Sequence, residues 1–332
     1  MKTKVFITID TEFSIGGAFE APLTVKPIGA QNVWCEVGGQ SQGLGFMLDT
    51  FAEHGLAATF FVEALQTAYF GDEPMGAIAR HISAAGHDVQ LHLHPVWTYF
   101  DHPQWQAQLA HVQPTDNMHG RSVEQAAAWM QRGIDSFVRW GVSAPAALRT
   151  GNLMVDRTVY QAMQAVGLKV ASNIARAVFE PAEQALRLNA GIHTVEGITE
   201  LPVLTYTDLQ WGARTHHKLL TITGTSVAEA QCLLARAHES GARAVVLLTH
   251  CHELVKGDMQ GSVVADRVNQ KRLAALCRFL RQANDRFEVT TIGGMVALPV
   301  SERSADHAML QVPTHLAMAR MAQNKLNELN WI

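Results

Sequence analysis

Two carboxylates spaced by one residue, Asp10 and Glu12, close the run Lys4-Val5-Phe6-Ile7-Thr8-Ile9-Asp10-Thr11-Glu12. A run so rich in β-branched and aromatic residues reads as a strand, where side chains two apart share a face. Two acids then look into one space. The device repeats where Asp88-Val89-Gln90-Leu91-His92-Leu93-His94 ends in two histidines, and where Ala244-Val245-Val246-Leu247-Leu248-Thr249-His250-Cys251-His252 ends in another two. Imidazoles so spaced stand roughly 7 Å apart at Cβ, near enough to reach one metal ion. Asp10 or Glu12 would complete a two-histidine, one-carboxylate centre with positions left for water. His250 and His252 read either as core histidines or as proton donors to a leaving group. Arg149, at the end of a short strand, is either a surface arginine or a guanidinium that keeps an acidic base ionised and oriented.

Parallel neighbouring strands would bring these pairs together at their carboxyl ends, where α/β enzymes place their sites. The intervening sequence supports that arrangement. Leu44, Met47, Leu48 and Phe51 recur at helical spacing up to His54-Gly55, and a strand follows over 57–62. A helix over about 74–85 stops at Gly86, directly before the His92 strand. This is the alternation of a parallel sheet. Further helices are predicted from Ser122, over 155–166, 226–240 and 262–284, and from about Thr314. Strands are predicted over 168–171, 243–249 and 287–292, with irregular strands or a hairpin between 172 and 209. Two long segments, 13–42 and 95–120, read as rim loops. The second carries Trp97, Tyr99, Phe100 and Trp105, which would make either a platform for stacking sugar rings or a loop packed down by its own aromatics.

With 332 residues, 48% of them hydrophobic, the chain can bury one large core. An α/β barrel over 1–300 with a helical tail over 301–332 fits this length. A net charge of −4, from 26 basic and 30 acidic residues without a basic stripe, argues against nucleic acid and anionic membranes as partners. No stretch is long and apolar enough for a membrane span, and the amino terminus lacks a signal core. Four scattered cysteines, Cys35, Cys232, Cys251 and Cys277, suit a reducing compartment. The expectation is a cytoplasmic protein; nothing in the pattern fixes an oligomeric state.

These motifs, in this order, resemble the polysaccharide deacetylases, the NodB-homology carbohydrate esterases. The resemblance spans roughly residues 4 to 295 and rests on five segments: 7–12 (ITIDTE), 57–62 (AATFFV), 86–92 (GHDVQLH), 148–152 (LRTGN) and 247–250 (LLTH). It implies a single-domain distorted (β/α) barrel with fewer than eight complete units. It also implies a divalent-metal hydrolase, with zinc the expected ion, that removes the acetyl group from an N-acetylated sugar or glycan. Asp10 falls on the general base, Arg149 on its partner, His250 on the general acid, and Glu12 and His92 on metal ligands. Trp97, Asn152 and His252 are expected to line the substrate site. Two departures stand out. Val96 occupies the usual place of the second metal histidine, four residues after His92, so His94 is expected to substitute. The tryptophan-bearing fourth motif is replaced by Ala171-Ser172-Asn173. The alternatives are a related amidohydrolase acting on another linear or cyclic amide, and a non-catalytic glycan-binding scaffold of the same fold.

Overall fold

The computed structural model describes residues 1–109, 111–212, 214–259, 261–297 and 309–329. Its first strand, Thr3–Thr11, is buried along nearly its whole length, as a strand covered on both faces must be. It lies within a nine-stranded sheet whose order is Ala244–His250, Thr3–Thr11, Thr59–Glu63, Asp88–Leu93, Ala147–Thr150, Val170–Ala171 and Ile198–Glu200. All of these run parallel to their neighbours. His193–Val195 adds an antiparallel edge, and Phe287–Val289 pairs with the start of the first strand. Beyond Ile198–Glu200 the chain returns to the opposite edge, where Val203 forms a parallel bridge with Val246. The sheet thus curls into a distorted (β/α) barrel, the fold class expected from the sequence.

Strand alternation sorts the side chains. Val5, Ile7 and Ile9 join Phe60, Val62, Leu91, Leu148 and Leu247 in the layer packed against Met47, Phe51, Ile78, Phe137 and Leu276 of the surrounding helices. Phe6, Phe61, Ala147, Val170, Val246 and Leu248 form a smaller apolar cluster inside the barrel. Thr8, Asp10, Glu63, His92, Arg149 and His250 share the inward parity of this second set. Register then aligns them, since Asp10 stands opposite His250, Glu63 opposite His92, and His92 opposite Arg149. A polar rim at the carboxyl ends of the strands is the direct result.

The helices follow the predicted stripes: Leu44–His54, Glu73–Ala84, Val123–Trp140, Arg157–Val166, Val227–Glu239 and Arg267–Gln282. Ser122 caps its helix by accepting the Gln125 N–H at 3.2 Å. Several boundaries differ from expectation. The helix predicted from 262 begins at Arg267, because Val263–Ala265 pairs with Val255–Gly257 as a hairpin and Asp266 supplies the cap. The strands predicted over 168–171 and 287–292 shorten to Val170–Ala171 and Phe287–Val289. Thr205–Trp211 and Arg214–Leu219 pair antiparallel as a hairpin.

Both rim segments hold short elements: the helix Gln31–Trp34 in one, and the 3₁₀ turn Pro95–Asp101 with the helix Trp105–Gln108 in the other. The helix Thr314–Glu328 is tied to the barrel by buried polar contacts, including Arg320 Nη2 to Asp208 Oδ2 at 2.6 Å and Arg272 Nη2 to Gln323 Oε1 at 2.6 Å. The boundary expected at 300 and the chain end at 330–332 lie outside the described residues. No helix among the described residues is long and apolar enough to cross a membrane.

Candidate metal and acid-base centre

At the carboxyl ends of the strands, Glu12 faces His92, on Asp88–Leu93, and His94, one residue past its end. Glu12 Oε2 lies 3.1 Å from His92 Nε2 and 2.7 Å from His94 Nε2. One donor atom from each of Glu12, His92 and His94 falls within 4.8 Å of the other two, a set that could hold a metal ion. The far sides of the rings explain why both Nε2 atoms point inward. His92 Nδ1 meets the Arg149 carbonyl at 2.9 Å. A carbonyl only accepts, so Nδ1 carries the proton and Nε2 is left as a bare ligand nitrogen in the neutral ring. His94 Nδ1 donates to Asp116 Oδ2 at 2.5 Å, so Nε2 is the nitrogen that faces Glu12 and would bind an ion once its own proton is displaced. A carboxylate oxygen and two so oriented imidazole nitrogens form a donor set suited to a divalent transition metal.

Asp10 stands beside this group and is committed elsewhere by one oxygen. Arg149 Nη1 donates to its Oδ1 at 2.9 Å, while Oδ2 lies 4.0 Å from both His92 Nε2 and His250 Nε2. Arg149 is wholly buried; it also donates to Thr8 Oγ1, Ser172 O and Ser172 Oγ, and its guanidinium lies 4.5 Å from the centre of the Phe61 ring. It is therefore not the surface arginine that a strand-end position also allowed. Ser172 accordingly serves Arg149, in the stretch where the fourth motif was missing.

On the other side, His250 Nδ1 bonds Glu253 Oε1 at 3.1 Å and Glu253 Oε2 accepts from Thr249 Oγ1 at 2.7 Å. Burial would lower the His250 pKa. The Glu253 hydrogen bond and charge, with Glu12 and Asp10 nearby, override it and push the ring up to about 9. For Glu12 the burial penalty is likewise outweighed, here by His94, His92 and His250, and the carboxyl is held well below its ordinary value.

A cavity of about 480 Å³ opens over the centre and is bordered by Glu12, His94, Trp97, Asp116, His252 and Asp258, among others. His252 lies beside His250, with ring centroids 5.1 Å apart. Burial, reinforced by the neighbouring His250, lowers its pKa.

Two expected substrate contacts are committed to neighbouring side chains. Trp97 reaches the cavity wall but is only 1% exposed, wedged against Phe70 and Phe100. Its face is spent on the aromatic packing of its own loop and is not available for sugar stacking. Asn152 donates its amide to Asp116 Oδ2 at 3.0 Å, an acid on the cavity border. His216 and His217 lie on the exposed arm Arg214–Leu219, and His216 pairs with Asp208 at 2.5 Å.

Three acids at the centre escaped the sequence reading. Glu63 ends the strand Thr59–Glu63 with inward parity, the same signal that picked out Asp10, and it accepts N–H groups from Leu65, Gln66 and His94. Burial pushes its carboxyl up to about 7. Glu253 follows His250 by three residues in a 3₁₀ turn, a spacing that brings side chains over one another. Asp116 gave no signal, sitting in an aperiodic stretch.

No protein-family model and no curated protein matches the chain. Solved structures do. One is a Mycobacterium smegmatis protein assigned to the polysaccharide deacetylases, at 16% identity over 93% of this chain and 95% of that one, with a TM-score of 0.48. A family 4 carbohydrate esterase from Streptomyces lividans, solved with acetate, is 13% identical over 92% and 98% of the two chains, with a TM-score of 0.43. A family 4 acetyl xylan esterase from Clostridium thermocellum, solved with a cobalt ion, is 15% identical over 89% and 91%, also at 0.43.

Proposed function

We propose that this protein is a metal-dependent hydrolase that removes the acetyl group from an N-acetylated sugar or glycan intermediate. One observation carries the reading. A Glu12–His92–His94 donor set, an arginine-held Asp10 and a carboxylate-held His250 meet at the strand ends, with Asp10 Oδ2 4.0 Å from His250 Nε2, and Glu12 and His94 open onto the cavity. The motif order across residues 4 to 295 supports the same assignment.

Glu12, His92 and His94 would hold the ion, which we take to be zinc. When bound it would supply Lewis-acid polarisation of the acetyl carbonyl and an acidified water. Arg149 occupies Asp10 Oδ1, so Oδ2 is the atom left to accept a proton from the attacking water. Glu253 holds His250 by Nδ1, which leaves Nε2 facing Asp10 and Glu12 as the donor to the departing nitrogen. An amide needs that second proton transfer because an unprotonated amine leaves poorly, so the acid and base must stand on opposite sides of the bond. The wall of the cavity combines polar groups with Ile15, Ile28 and Val96, a mixture suited to a sugar's hydroxyls and its methyl-bearing acetyl. Four free cysteines agree with a cytoplasmic setting.

The test begins with elemental analysis of the purified protein beside His94→Ala. Near-stoichiometric divalent metal in the purified parent, sharply depleted in the variant because its affinity is weakened, and acetate released from N-acetyl sugars are expected. Asp10→Asn should keep the metal and lose roughly 10²-fold or more in turnover. Failure to bind metal after reconstitution, or retained turnover in Asp10→Asn, refutes the assignment.

A further inference from the structure

His94 lies one residue beyond its strand, which ends at Leu93, so no ladder partner fixes its direction. Other contacts do. Its N–H donates to Glu63 Oε1 at 3.1 Å, and its Nδ1 meets Asp116 Oδ2 at 2.5 Å. The ring packs so tightly on the backbone of Gly151 that a Cβ there would stand 2.4 Å from Nδ1 and 2.6 Å from Cε1. Asp116 is itself held, by the Val96 N–H at 3.2 Å and by Asn152 Nδ2 at 3.0 Å. Asn152 reaches it from a left-handed conformation, φ 56°, which asparagine tolerates better than most residues.

From this geometry we infer that Asp116 and Asn152 form a positioning pair that commits His94 to the metal, in place of the usual histidine at Val96. The inference rests on the proposed metal reading. Asp116 accepts the Nδ1 proton and turns Nε2 toward Glu12, 2.7 Å away. Carboxylates in this relation to a ligating imidazole fix its tautomer and raise its basicity. The segment Arg149-Thr150-Gly151-Asn152 then serves both halves of the centre. Arg149 holds the base, Gly151 leaves room for the shifted imidazole, and Asn152 holds the acid that aims it. Because Asp116 comes from the rim segment 95–120, the same pair ties that rim to the metal.

The test measures Co²⁺ affinity by competition with a chromophoric chelator, together with the visible absorption of the bound ion. It compares the parent, Asp116→Asn, Asn152→Gly, His94→Ala and the double variant Asp116→Asn/His94→Ala. Asn152→Gly keeps the left-handed backbone and removes only the amide. Melting temperature and far-UV circular dichroism of each metal-free variant report folding. Asp116→Asn is expected to weaken binding roughly 10- to 100-fold and to shift the absorption bands. Asn152→Gly should do so to a smaller extent. In the His94→Ala background the Asp116 change should have no further effect, since it acts through that ring.

Parent-like affinity in Asp116→Asn beside weakened His94→Ala overturns the pair but leaves the metal reading standing. An equal loss in both backgrounds overturns it too, because Asp116 would then act independently of His94. No binding by the parent overturns the metal reading and the pair with it.

Discussion

Arg149 and Asp10 are both buried, and their ion pair is the one on which the proposed base depends. Consider Arg149→Met, which keeps the length of the side chain and its packing over Phe61 but removes the charge. Asp10 is then a buried carboxylate without its counter-charge, a situation worth roughly 3–5 kcal/mol of destabilisation. The backbone and hydroxyl oxygens of Ser172 also lose their donors, adding about 1 kcal/mol each where no water replaces them. Asp10→Asn alone should be milder, since the guanidinium keeps its contacts to Ser172 and Thr8 and an amide oxygen can still accept. If the instability of Arg149→Met comes from the stranded charge, Asp10→Asn must partly rescue it. A coupling of roughly 2–3 kcal/mol is therefore expected in the double-mutant cycle, within the range found for residues in contact.

Urea unfolding of the metal-free proteins near neutral pH reads this directly from four midpoints and slopes. A double variant no more stable than Arg149→Met, with coupling under about 0.5 kcal/mol, would refute the argument. Arg149 would then be a packing residue whose charge is incidental to Asp10.

Glu253 should matter to turnover without touching the metal set: Glu253→Gln is expected to lower kcat roughly 10²-fold at unchanged metal content, by loosening the acid. An unaltered kcat would show that His250 needs no partner. Glu200 offers a stability test outside the metal-ligand set. Burial pushes its carboxyl from 4.5 up to about 7 against hydrogen bonds from Ile174, Asn173 and Tyr160. An acid whose folded pKa is raised makes the native state bind the extra proton. Stability must then fall as pH climbs from 4.5 to about 7, by roughly 3 kcal/mol from this group. Glu200→Gln should flatten that decline in a series of melting temperatures, and curves that stay parallel to the parent's would remove Glu200 as its source.

Much of the barrel was legible because strand alternation is local. Wherever an apolar run ended in polar residues two apart, their shared face followed from covalent geometry, and parallel register did the rest. Asp10, Glu12, His92, His94 and His250 could be gathered on these grounds before any distance was known, whereas Arg149 joined them only through the resemblance of its LRTGN segment. Glu63 obeys the same rule, and the run ending at Val62 concealed it by a single residue.

What the sequence determined by itself, then, was the set of strands and the parity of their ends, since both depend on neighbours in the chain. The rim was decided by tertiary structure. Asp116 stands 22 residues beyond His94 in a stretch without periodicity, and only the packing of that stretch brings it to the imidazole. Trp97 could equally have faced a sugar or its own loop, and the choice fell to Phe100 of its own turn together with Phe70, which arrives from another helix. Asn152 was expected at the substrate site, and the acceptor its amide finds, Asp116, lies 36 residues away in the chain. The direction of a loop side chain is set by which distant group meets it, and a one-dimensional pattern holds no record of that meeting.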